Sequence, residues 1–555
     1  MDGKIKITYE DGTSDIYPLG VSVSELSKYH ASNQENKIIG AKVNNVYKRL
    51  DEKVMSSSSI KFIDYTDTDG CAAYKAGLKF VLFVAIKELY GNTSDVIFLN
   101  SLDKGMYVEI VGNIDLNVSI NDIKNKMQEI VDKDFPIIKQ IVRNKDAINY
   151  YKSVNYEEKA YNAETSTNMT LTIYKLKNYY NYFYSIMPSS TVVLSKFDLT
   201  IIDSKHLVLQ YPTSNSNGKI PEYKHYPKTL DAFEHYRNWL NIIKVPYLSD
   251  LNHIVSNSDI SDFIAMNYIR TENDFFEASK LIYEKNKEHK IRVVFVAGPS
   301  SSGKTTTSKK LALHLKAWGL KPIAISCDDF YMEREETPKL PDGTYDFESV
   351  DAIDLKLLDN TLNKLMNYEE VQIPTFNFFT GKKEFKNKPI KLSEDSIIVF
   401  EGLHCLNDRI TKIVDNESQF RVYISPFPGI NIDRHNYISS VDLRLLRRMV
   451  RDNVYRGYNV EHTMSTWKSV RNGEEKYVFP FQDKADIIIN SALIYEVGVL
   501  RVFAEPLLAS VPVTSMYYEE AKRLLGFVRG FFSINPEYIT NDTILREFIG
   551  GSKFR

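Results

Sequence analysis

Apolar and polar positions alternate at the start of the chain. In residues 4–9 the apolar side chains recur at every second position, which predicts a half-buried strand. An Asp-Gly turn and a short strand around Ile16 complete a predicted hairpin. A turn with a capped helix start follows at residues 20–26, and residues 39–44 are predicted to form another strand. This order of elements predicts a small β-grasp module over residues 1–60.

The apolar spacing changes to a helical one in the next segment. Residues 74–90 place apolar side chains three or four positions apart, which predicts an amphipathic helix packed against a sheet. Strands are predicted at residues 96–99 and 106–110, so residues 61–230 are expected to form an α+β domain. Residues 231–290 have few glycines and a mostly helical pattern, which predicts a helical linker.

A strongly apolar run introduces the third part of the chain, residues 291–555. Residues 291–297 are rich in valine, as is typical of a central parallel strand that is buried on both faces. They lead directly into GPSSSGKT at residues 298–305, a complete G-x-x-x-x-G-K-[ST] loop, and a helical pattern follows at residues 306–318. In this context the N–H groups of the loop and the helix N-terminus surround nucleotide phosphates. The sequence therefore predicts an α/β P-loop domain with a doubly wound parallel sheet.

The loop also predicts the ligands of this domain. Lys304 brings a positive charge to the β- and γ-phosphates, and the hydroxyl of Thr305 can ligate Mg²⁺. The chain lacks the Asn-Lys-x-Asp signature that reads guanine, so ATP and Mg²⁺ are the expected cofactors. The residues predicted to bind the nucleotide are Gly298, Ser300, Ser301, Ser302, Gly303, Lys304, Thr305 and Thr306.

Two carboxylates stand at the carboxyl ends of the next predicted strands. Residues 321–326 end just before Asp328, and residues 397–400 end at Glu401. Ligands bind at that edge of a doubly wound sheet. A carboxylate there can take the proton of an attacking hydroxyl or hold the metal ion. Asp328 is therefore a candidate base, and Glu401 is a candidate Mg²⁺ ligand, directly or through water.

An arginine-rich stretch follows at residues 442–452. Four of its arginines fall at i, i+3, i+4 and i+7 on one face of a predicted helix: Arg444, Arg447, Arg448 and Arg451. Such a face is often only solvated, but beside a phosphoryl-transfer loop it favours a lid that neutralises the transferred phosphate. Arg456 lies close behind and is grouped with this lid.

Composition narrows the classes of function. The 70 Lys and Arg residues against 72 Asp and Glu give a net charge of −2, which offers no electrostatic case for nucleic-acid binding by the whole chain. The widely spaced Cys71, Cys327 and Cys405 exclude a disulfide framework and a CxxC metal site. These cysteines and the lack of an apolar signal segment or membrane span predict a cytoplasmic location. The tyrosines around residues 150–185 are interpreted as packing rather than as a nucleic-acid stacking surface.

The two front domains resemble parts of another class of enzyme. The pattern KITYEDG…YPLGVSVSEL…IIGAKVNN is similar to the TGS domain of threonyl-tRNA synthetases and some GTPases, and residues 61–230 resemble the second additional domain of these synthetases. Editing by that domain depends on a His-x-x-x-His pair, but Tyr74 and Leu78 stand at the corresponding positions. The resemblance therefore implies no hydrolytic activity. It leaves RNA or tRNA binding by these domains open, beside a structural or regulatory role.

Six motifs between about residues 290 and 500 carry a closer resemblance. VAGPSSSGKTT, SCDDFY, YDFESVDAIDL, VQIPTFNFFTGKK, VFEGLH and DLRLLRRMVRDNVYRG resemble, in this order, the uridine kinase / phosphoribulokinase family. The resemblance implies that Asp328 is the general base and that Arg456 contacts the nucleotide. The implied metal ligands are Thr305, Asp328 and Glu401, and the implied catalytic set is Asp328, Lys304, Arg448 and Arg451. The implied acceptor-binding residues are Asp328, Tyr331, Glu348, Phe376, Arg448 and Arg451.

The acceptor pocket departs from the pattern of that family. Uridine kinases read the nucleoside with an Asp, a Tyr, a His, a second Arg and a Gln, and the corresponding residues here are Glu348, Phe376, Gly381, Tyr458 and Thr466. Several polar contacts to uracil are therefore expected to be missing, and the identity of the acceptor stays open.

The sequence thus predicts an ATP-dependent kinase that phosphorylates a hydroxyl of a nucleoside, at a uridine- or cytidine-like 5′-OH, or of a related small metabolite. Two alternatives stay open: a nucleotide-sensing RNA-binding or regulatory protein, and a phosphoribulokinase- or pantothenate kinase-like enzyme acting on a non-nucleoside. The three-part layout resembles a group usually named uridine kinase-like proteins, with a C-terminal helical extension up to residue 555. A homo-oligomer is neither predicted nor excluded. Residues 544–552 resemble a recurring ending of this group, and the sequence assigns them no role.

Overall fold

The computed structural model describes residues 3–30, 36–257, 259–341, 343–386 and 388–554. The first elements are β1 (Lys4–Tyr9), β2 (Ser14–Pro18), α1 (Val23–His30), β3 (Gly40–Val43), β4 (Val46–Arg49) and β5 (Ser58–Ile63). They form a five-stranded sheet in the order β2-β1-β5-β3-β4, in which only β1 and β5 pair in parallel. The predicted hairpin and the strand at residues 39–44 are confirmed, and Ser22 and Glu25 cap α1 with reciprocal hydrogen bonds. The β-grasp assignment stays a prediction.

The middle of the chain contains four α-helices and seven strands, and the strands form two antiparallel sheets. The elements are α2 (Thr68–Tyr90), β6 (Asp95–Leu102), β7 (Gly105–Val111), α3 (Leu116–Asp132), β8 (Ile137–Arg143), α4 (Asn144–Ser153), α5 (Glu157–Glu164), β9 (Thr170–Leu176), β10 (Tyr179–Asn181), β11 (Asp198–Ile201) and β12 (His206–Gln210). One sheet has the order β11-β12-β7-β6 and the other the order β10-β9-β8. The strands predicted at residues 96–99 and 106–110 are confirmed as parts of β6 and β7.

The central helix α2 differs from its prediction. It is buried on almost every side, so the amphipathic interpretation is wrong, although the helix itself is confirmed. Even Lys79 and Lys87 are only 7% exposed, because α2 runs through the middle of the domain core rather than along its surface. Tyr74 and Leu78 pack in that core, and the Tyr74 hydroxyl donates to the Lys196 carbonyl oxygen at 2.9 Å. Within the described part of the chain, no helix is both long and apolar enough to cross a membrane.

The tyrosines predicted to serve packing largely do so. Tyr151 and Tyr182 are buried with their ring centroids 5.7 Å apart in an edge-on contact. Tyr150 contacts Tyr180 in the same manner at 5.5 Å. These rings therefore pack against one another, as is typical of an aromatic core cluster.

The helices that follow connect the middle domain to the third part of the chain. They are α6 (Pro227–Ile242), α7 (Leu248–Asn257) and α8 (Ile260–Glu288), which confirms the predicted helical pattern. Phe275, Ala278 and Ile282 of α8 share a hydrophobic core with Val294 and Val296 of the following strand. The segment therefore supports the sheet that carries the predicted P-loop.

The third part of the chain alternates strands and helices and ends in helices. Its elements are β13 (Val293–Ala297), α9 (Lys304–Ala317), β14 (Lys321–Ser326), α10 (Leu355–Met366), β15 (Thr375–Asn377), β16 (Lys382–Glu384), β17 (Ser396–Glu401), α11 (Asp408–Thr411), β18 (Gln419–Ser425), β19 (Asn431–Asp433), β20 (Asn436–Tyr437), α12 (Ser440–Arg456), α13 (Val460–Tyr477), β21 (Ile487–Asn490), α14 (Glu496–Ala509), α15 (Tyr518–Arg529) and α16 (Arg546–Ile549).

The main sheet of this part is fully parallel. Its five strands run in the order β14-β17-β13-β18-β21, with β13 at the centre. Val294 and Val296 face one hydrophobic core, and Val293 and Phe295 face another, so the sheet is covered on both faces. The predicted doubly wound parallel sheet is therefore present, and the carboxyl ends of β13, β14 and β17 meet at one edge.

A short hairpin, β19–β20, ties this domain to the middle domain. Asp433 forms an ion pair with Lys159 at 2.7 Å, and both side chains are fully buried. Arg434 donates to both carboxylate oxygens of Glu158 at 2.7 and 3.1 Å. His435 is enclosed beside them, and burial lowers its pKa to about 4. Because α12 begins only a few residues later, this junction also fixes the start of the arginine-rich helix.

Candidate nucleotide-binding and phosphoryl-transfer site

The loop between β13 and α9 has a shape that requires glycine at two positions. A Cβ atom on Gly298 would lie 2.1 Å from the backbone oxygen of Ile424 in β18. Gly303 has a φ of 92°, in the left-handed region, immediately before α9 begins at Lys304. The predicted loop therefore connects the central strand to a helix whose N-terminus lies at the sheet edge.

Lys304 and Thr305 extend from the loop in different directions. The Lys304 ammonium donates to the carbonyl oxygen of Pro299 at 3.0 Å, so it lies across the loop. The Thr305 hydroxyl donates to Oε1 of Glu401 at 3.3 Å. The loop thus presents a positive charge on one side and a hydroxyl next to a carboxylate on the other.

Arg444 fastens the loop to two helices. It is 1% exposed, donates to the carbonyl oxygen of Ser300 at 3.2 Å and forms a bidentate ion pair with Glu474 of α13. Glu474, which is also fully buried, accepts the backbone N–H of Ser300 at 2.8 Å. The main-chain groups of Ser300 are therefore used to hold the loop in place, and its N–H is engaged by a protein carboxylate.

Arg447 makes a second buried anchor one turn later. Its guanidinium pairs with Glu496 of α14 at 2.7 Å and donates to the carbonyl oxygens of Ser491 and Ser301 at 2.8 and 3.3 Å. The lid interpretation is therefore wrong for Arg444 and Arg447. Their face of α12 is turned into the protein, and residue spacing alone cannot distinguish such a face from one that lines a cleft.

The remaining three arginines gather around one carboxylate. Asp452, itself 2% exposed, lies 3.4 Å from Nε of Arg448, 3.0 Å from Arg451 and 3.2 Å from Arg456. Arg448 also donates to the hydroxyl of Ser300 at 3.0 Å, which brings this group to the loop. Three guanidiniums therefore share one carboxylate beside the loop.

Asp328 lies directly after β14 in a short 3-10 turn, with its N–H donating to the Ser326 hydroxyl at 3.3 Å. Burial raises the pKa of this carboxyl, and the charges of Lys304, Arg451 and Arg456 act against that increase. The site therefore surrounds one desolvated carboxylate with the loop lysine and two of the clustered arginines.

Glu401 stands next to Asp328 at the end of β17. Its Oε1 accepts the hydroxyls of Thr305 and Ser326 at 3.3 and 3.2 Å. Burial, reinforced by the charge of Asp328, raises the pKa of Glu401 to about 7. The raised pKa values mean that the ionised forms of these two carboxyl groups are unfavourable, and a divalent cation bound between them would stabilise the ionised forms.

The donor set fits Mg²⁺ held jointly with a nucleotide. Among the described residues there is no group of three or more His, Cys, Asp or Glu side chains that could hold a metal ion by itself. Mg²⁺ needs only one or two carboxylates when phosphate oxygens and water complete its octahedron. Thr305, Asp328 and Glu401 supply such a partial set at the end of the loop.

Replacing Glu401 by glutamine is expected to raise the Mg²⁺ concentration needed for half-maximal rate by roughly 10- to 100-fold, as for other losses around a metal ion. The matched control is Asp395→Asn, which removes a 65% exposed carboxylate at the opposite end of the same strand. The measurement is the rate of ADP formation over a Mg²⁺ titration at constant ATP. An unchanged Mg²⁺ dependence in Glu401→Gln would exclude Glu401 as a metal-binding group.

The predicted acceptor side is lined by aromatic rings. Tyr331 lies 5.6 Å from Phe376 and 6.0 Å from Phe378, and the two phenylalanines are 5.1 Å apart. The backbone N–H of Phe376 donates to Asp329 at 3.3 Å, so the residue after the candidate base positions this cluster. Phe378 is 61% exposed, which leaves an aromatic surface open next to the site.

Glu348 completes this side of the cleft. Burial raises its pKa to about 7, while the charge of Arg448 opposes the increase. Its Cβ would lie 2.4 Å from a Cβ placed on Gly473, so α13 packs directly on it. Two further departures from the family pattern offer little polarity: Gly381 has no side chain, and the Thr466 hydroxyl donates to the Thr463 carbonyl oxygen of its own helix.

Four carboxylates that build the site were not found from the sequence. Asp452 could have been found, because it lies four residues from both Arg448 and Arg456. The other three lie on helices far along the chain, and no nearby sequence motif connects them to the loop: Glu474, Glu496 and Glu547. The last of these, Glu547, accepts both the backbone N–H and the hydroxyl of Thr306, a predicted nucleotide contact.

Comparison with known proteins places this site in a family context. Residues 293–497 match the model of the Phosphoribulokinase / Uridine kinase family. Uridine-cytidine kinase B of Dictyostelium discoideum is 27% identical over 199 residues, which cover 36% of this chain and 73% of that protein. Uridine kinase of Anoxybacillus flavithermus is 27% identical over 199 residues, which cover 36% of this chain and 84% of that protein.

A solved structure described as a possible uridine kinase from Bacillus stearothermophilus is 19% identical, and the match covers 36% of this chain and 89% of that one with a TM-score of 0.25. The matched range, residues 293–497, includes the P-loop, the five parallel strands and the carboxylates at the sheet edge. The resemblances of residues 1–230 to synthetase domains stay predictions. Residues 293–497 of the chain are therefore similar in sequence to the P-loop kinases of the phosphoribulokinase and uridine kinase family.

Proposed function

We propose that the chain transfers the γ-phosphate of ATP to a hydroxyl of a nucleoside, at a uridine- or cytidine-like 5′ position, or of a related small metabolite. The observation that supports this most is the environment of Asp328, a half-buried carboxylate next to the loop lysine, two arginines and Glu401. A carboxylate so placed suits the removal of a proton from an attacking hydroxyl.

The proposed reaction uses the residues in separate roles. Lys304 and the guanidiniums of Arg448 and Arg451 stabilise the negative charge of the transferred phosphoryl group. Asp328 accepts the proton as the acceptor oxygen forms its bond to the γ-phosphorus and the bond to ADP breaks. Mg²⁺, when bound, neutralises charge on the β- and γ-phosphates. A raised pKa makes the Asp328 carboxylate a stronger base than an exposed one.

The aromatic cluster favours an acceptor with a flat ring. Phe378, which is 61% exposed, and the half-buried Tyr331 offer ring surface against which a nucleobase could stack, and the buried Phe376 supports both rings. A non-nucleoside acceptor is the second candidate, because Gly381 and Thr466 supply no free polar group for reading a base.

A panel of acceptors tests the proposal. Full-length protein is incubated with ATP, Mg²⁺ and uridine, cytidine, other nucleosides, ribulose 5-phosphate or pantothenate, and the phosphorylated product is identified by mass. We expect uridine or cytidine to give the largest kcat/KM, with Asp328→Asn protein as the blank for background ATP hydrolysis. Turnover of only a non-nucleoside would favour the second candidate. ATP binding without any phosphorylated product would refute the kinase proposal.

A further inference from the structure

The C-terminal segment, defined here as residues 540–554, is firmly packed against the kinase domain. Ile544, Leu545, Phe548 and Ile549 are buried in the same hydrophobic core as the central strand β13. The guanidinium of Arg447 lies 5.0 Å from the centre of the Phe548 ring. The backbone of this segment is therefore an integral part of the domain rather than a loose end.

This packing carries Glu547 to the start of α9. Its Oε2 accepts the backbone N–H of Thr306 at 3.0 Å and the Thr306 hydroxyl at 2.7 Å. Ile544 lies beside it, where a Cβ atom on Gly303 would be 2.6 Å from the Ile544 Cγ2 methyl. The segment thus reaches both the last glycine of the loop and the first turn of the helix.

Glu547 lies at the N-terminus of α9, a position that favours an anion. The first N–H groups of a helix have no partner within it, and the helix dipole adds positive potential there. In a P-loop these groups hold nucleotide phosphates. Thr306 is the third residue of α9, and both of its donors are taken by the carboxylate. The same two donors cannot serve Glu547 and a phosphate oxygen at once, and the two anions repel each other.

We propose that Glu547 is a built-in competitor of the nucleotide phosphates: its carboxylate accepts both donors of Thr306 and has to turn away before a phosphate can use them. The inference rests on the proposed binding of ATP at this loop. Because four apolar neighbours of Glu547 hold the backbone in the core, only the side chain changes position. Glu547 therefore sets nucleotide affinity without taking part in phosphoryl transfer.

The test is the dissociation constant of ATP and of ADP, measured by calorimetry on the full chain without any acceptor. Glu547→Ala is expected to bind both nucleotides about tenfold more tightly than the wild type, since a charge-assisted pair of hydrogen bonds no longer has to be broken. Glu547→Gln keeps the shape and is expected to gain a few-fold, because a neutral acceptor holds the two donors less strongly. The control is Glu537→Gln, which removes an exposed charge near the same end of the chain and is expected to leave both constants within about twofold.

The outcomes separate this inference from the proposed function. A structural role for Glu547 predicts the opposite sign, because losing a support of the loop weakens binding; equal or weaker binding by both Glu547 variants overturns the inference. Tighter binding without transfer to any acceptor supports the inference and refutes only the proposed kinase activity. If neither the wild type nor the Glu547 variants bind ATP, both proposals fail.

Discussion

Replacing Asp328 by asparagine is expected to lower kcat by about two to four orders of magnitude, the range that general-base catalysis contributes. Asparagine has the same shape but cannot accept the proton of the acceptor hydroxyl at neutral pH. The loop, Lys304 and the arginines around Asp452 are left intact, so the dissociation constant of ATP is expected to stay within a few-fold of the wild type. Steady-state kinetics and ATP calorimetry on the same preparation measure the two quantities.

The adjacent carboxylate provides the matched control. Asp329 accepts the backbone N–H of Phe376 at 3.3 Å, so Asp329→Asn is expected to raise the KM of the acceptor more than it lowers kcat. A kcat in Asp328→Asn that equals that of the wild type would remove Asp328 as the base. An equal loss of kcat in both variants would indicate a general disturbance of the turn rather than the loss of a proton acceptor.

The elements of the kinase sheet could be predicted because their signals are local. Residues 321–326 were predicted from their own composition, and β14 has the same bounds, Lys321–Ser326. The loop at residues 298–305 specifies its own geometry through glycines that the backbone requires. The carboxylates at the sheet edge follow from the rule that parallel strands end on the same side.

The predictions that were wrong concern side chains whose burial depends on residues far away in the sequence. Helix α2 has apolar residues at helical spacing, but the positions between them are also buried, which only the surrounding sheets and helices decide. The arginine face of α12 was predicted as a lid, although Arg444 and Arg447 face carboxylates that follow 30 and 49 residues later. The contact of Glu547 with Thr306 spans 241 residues, and no spacing rule reaches that far.

The contacts of the two buried arginines hold the P-loop in shape. Arg444 and Glu474 bind the carbonyl and N–H groups of Ser300, and Arg447 binds the carbonyl oxygen of Ser301. The arginines of helix α12 therefore form two groups. The two buried arginines position the loop, and the three around Asp452 lie beside the cleft. Because the same helix, α12, carries both groups, the position of the arginines around Asp452 is coupled to the position of the loop.

Replacing Arg447 by methionine is therefore expected to destabilise the protein by about 3–5 kcal/mol, the cost of leaving one partner of a buried ion pair uncompensated. Arg447 and Glu496 are 0% and 1% exposed, and burial already raises the pKa of Glu496. The free energy of unfolding is measured by urea titration followed by tryptophan fluorescence. The control is Arg143→Met, whose ion pair with Asp146 is 78% and 50% exposed and is expected to contribute less than about 1 kcal/mol.

The double variant Arg447→Met/Glu496→Leu tests whether the unpaired carboxylate of Glu496 causes the loss of stability in the single variant. Removing both charges abolishes the uncompensated carboxylate, and apolar replacements of buried ion pairs are often neutral, so most of the lost stability is expected to return. The carbonyl oxygens of Ser301 and Ser491 still lose their donor, so the loop is expected to bind ATP less well even in the stable double variant. A lid arginine would give the reverse result, with lower kcat and unchanged stability. An effect of Arg447→Met no larger than that of Arg143→Met would show that the buried pair does not anchor the loop.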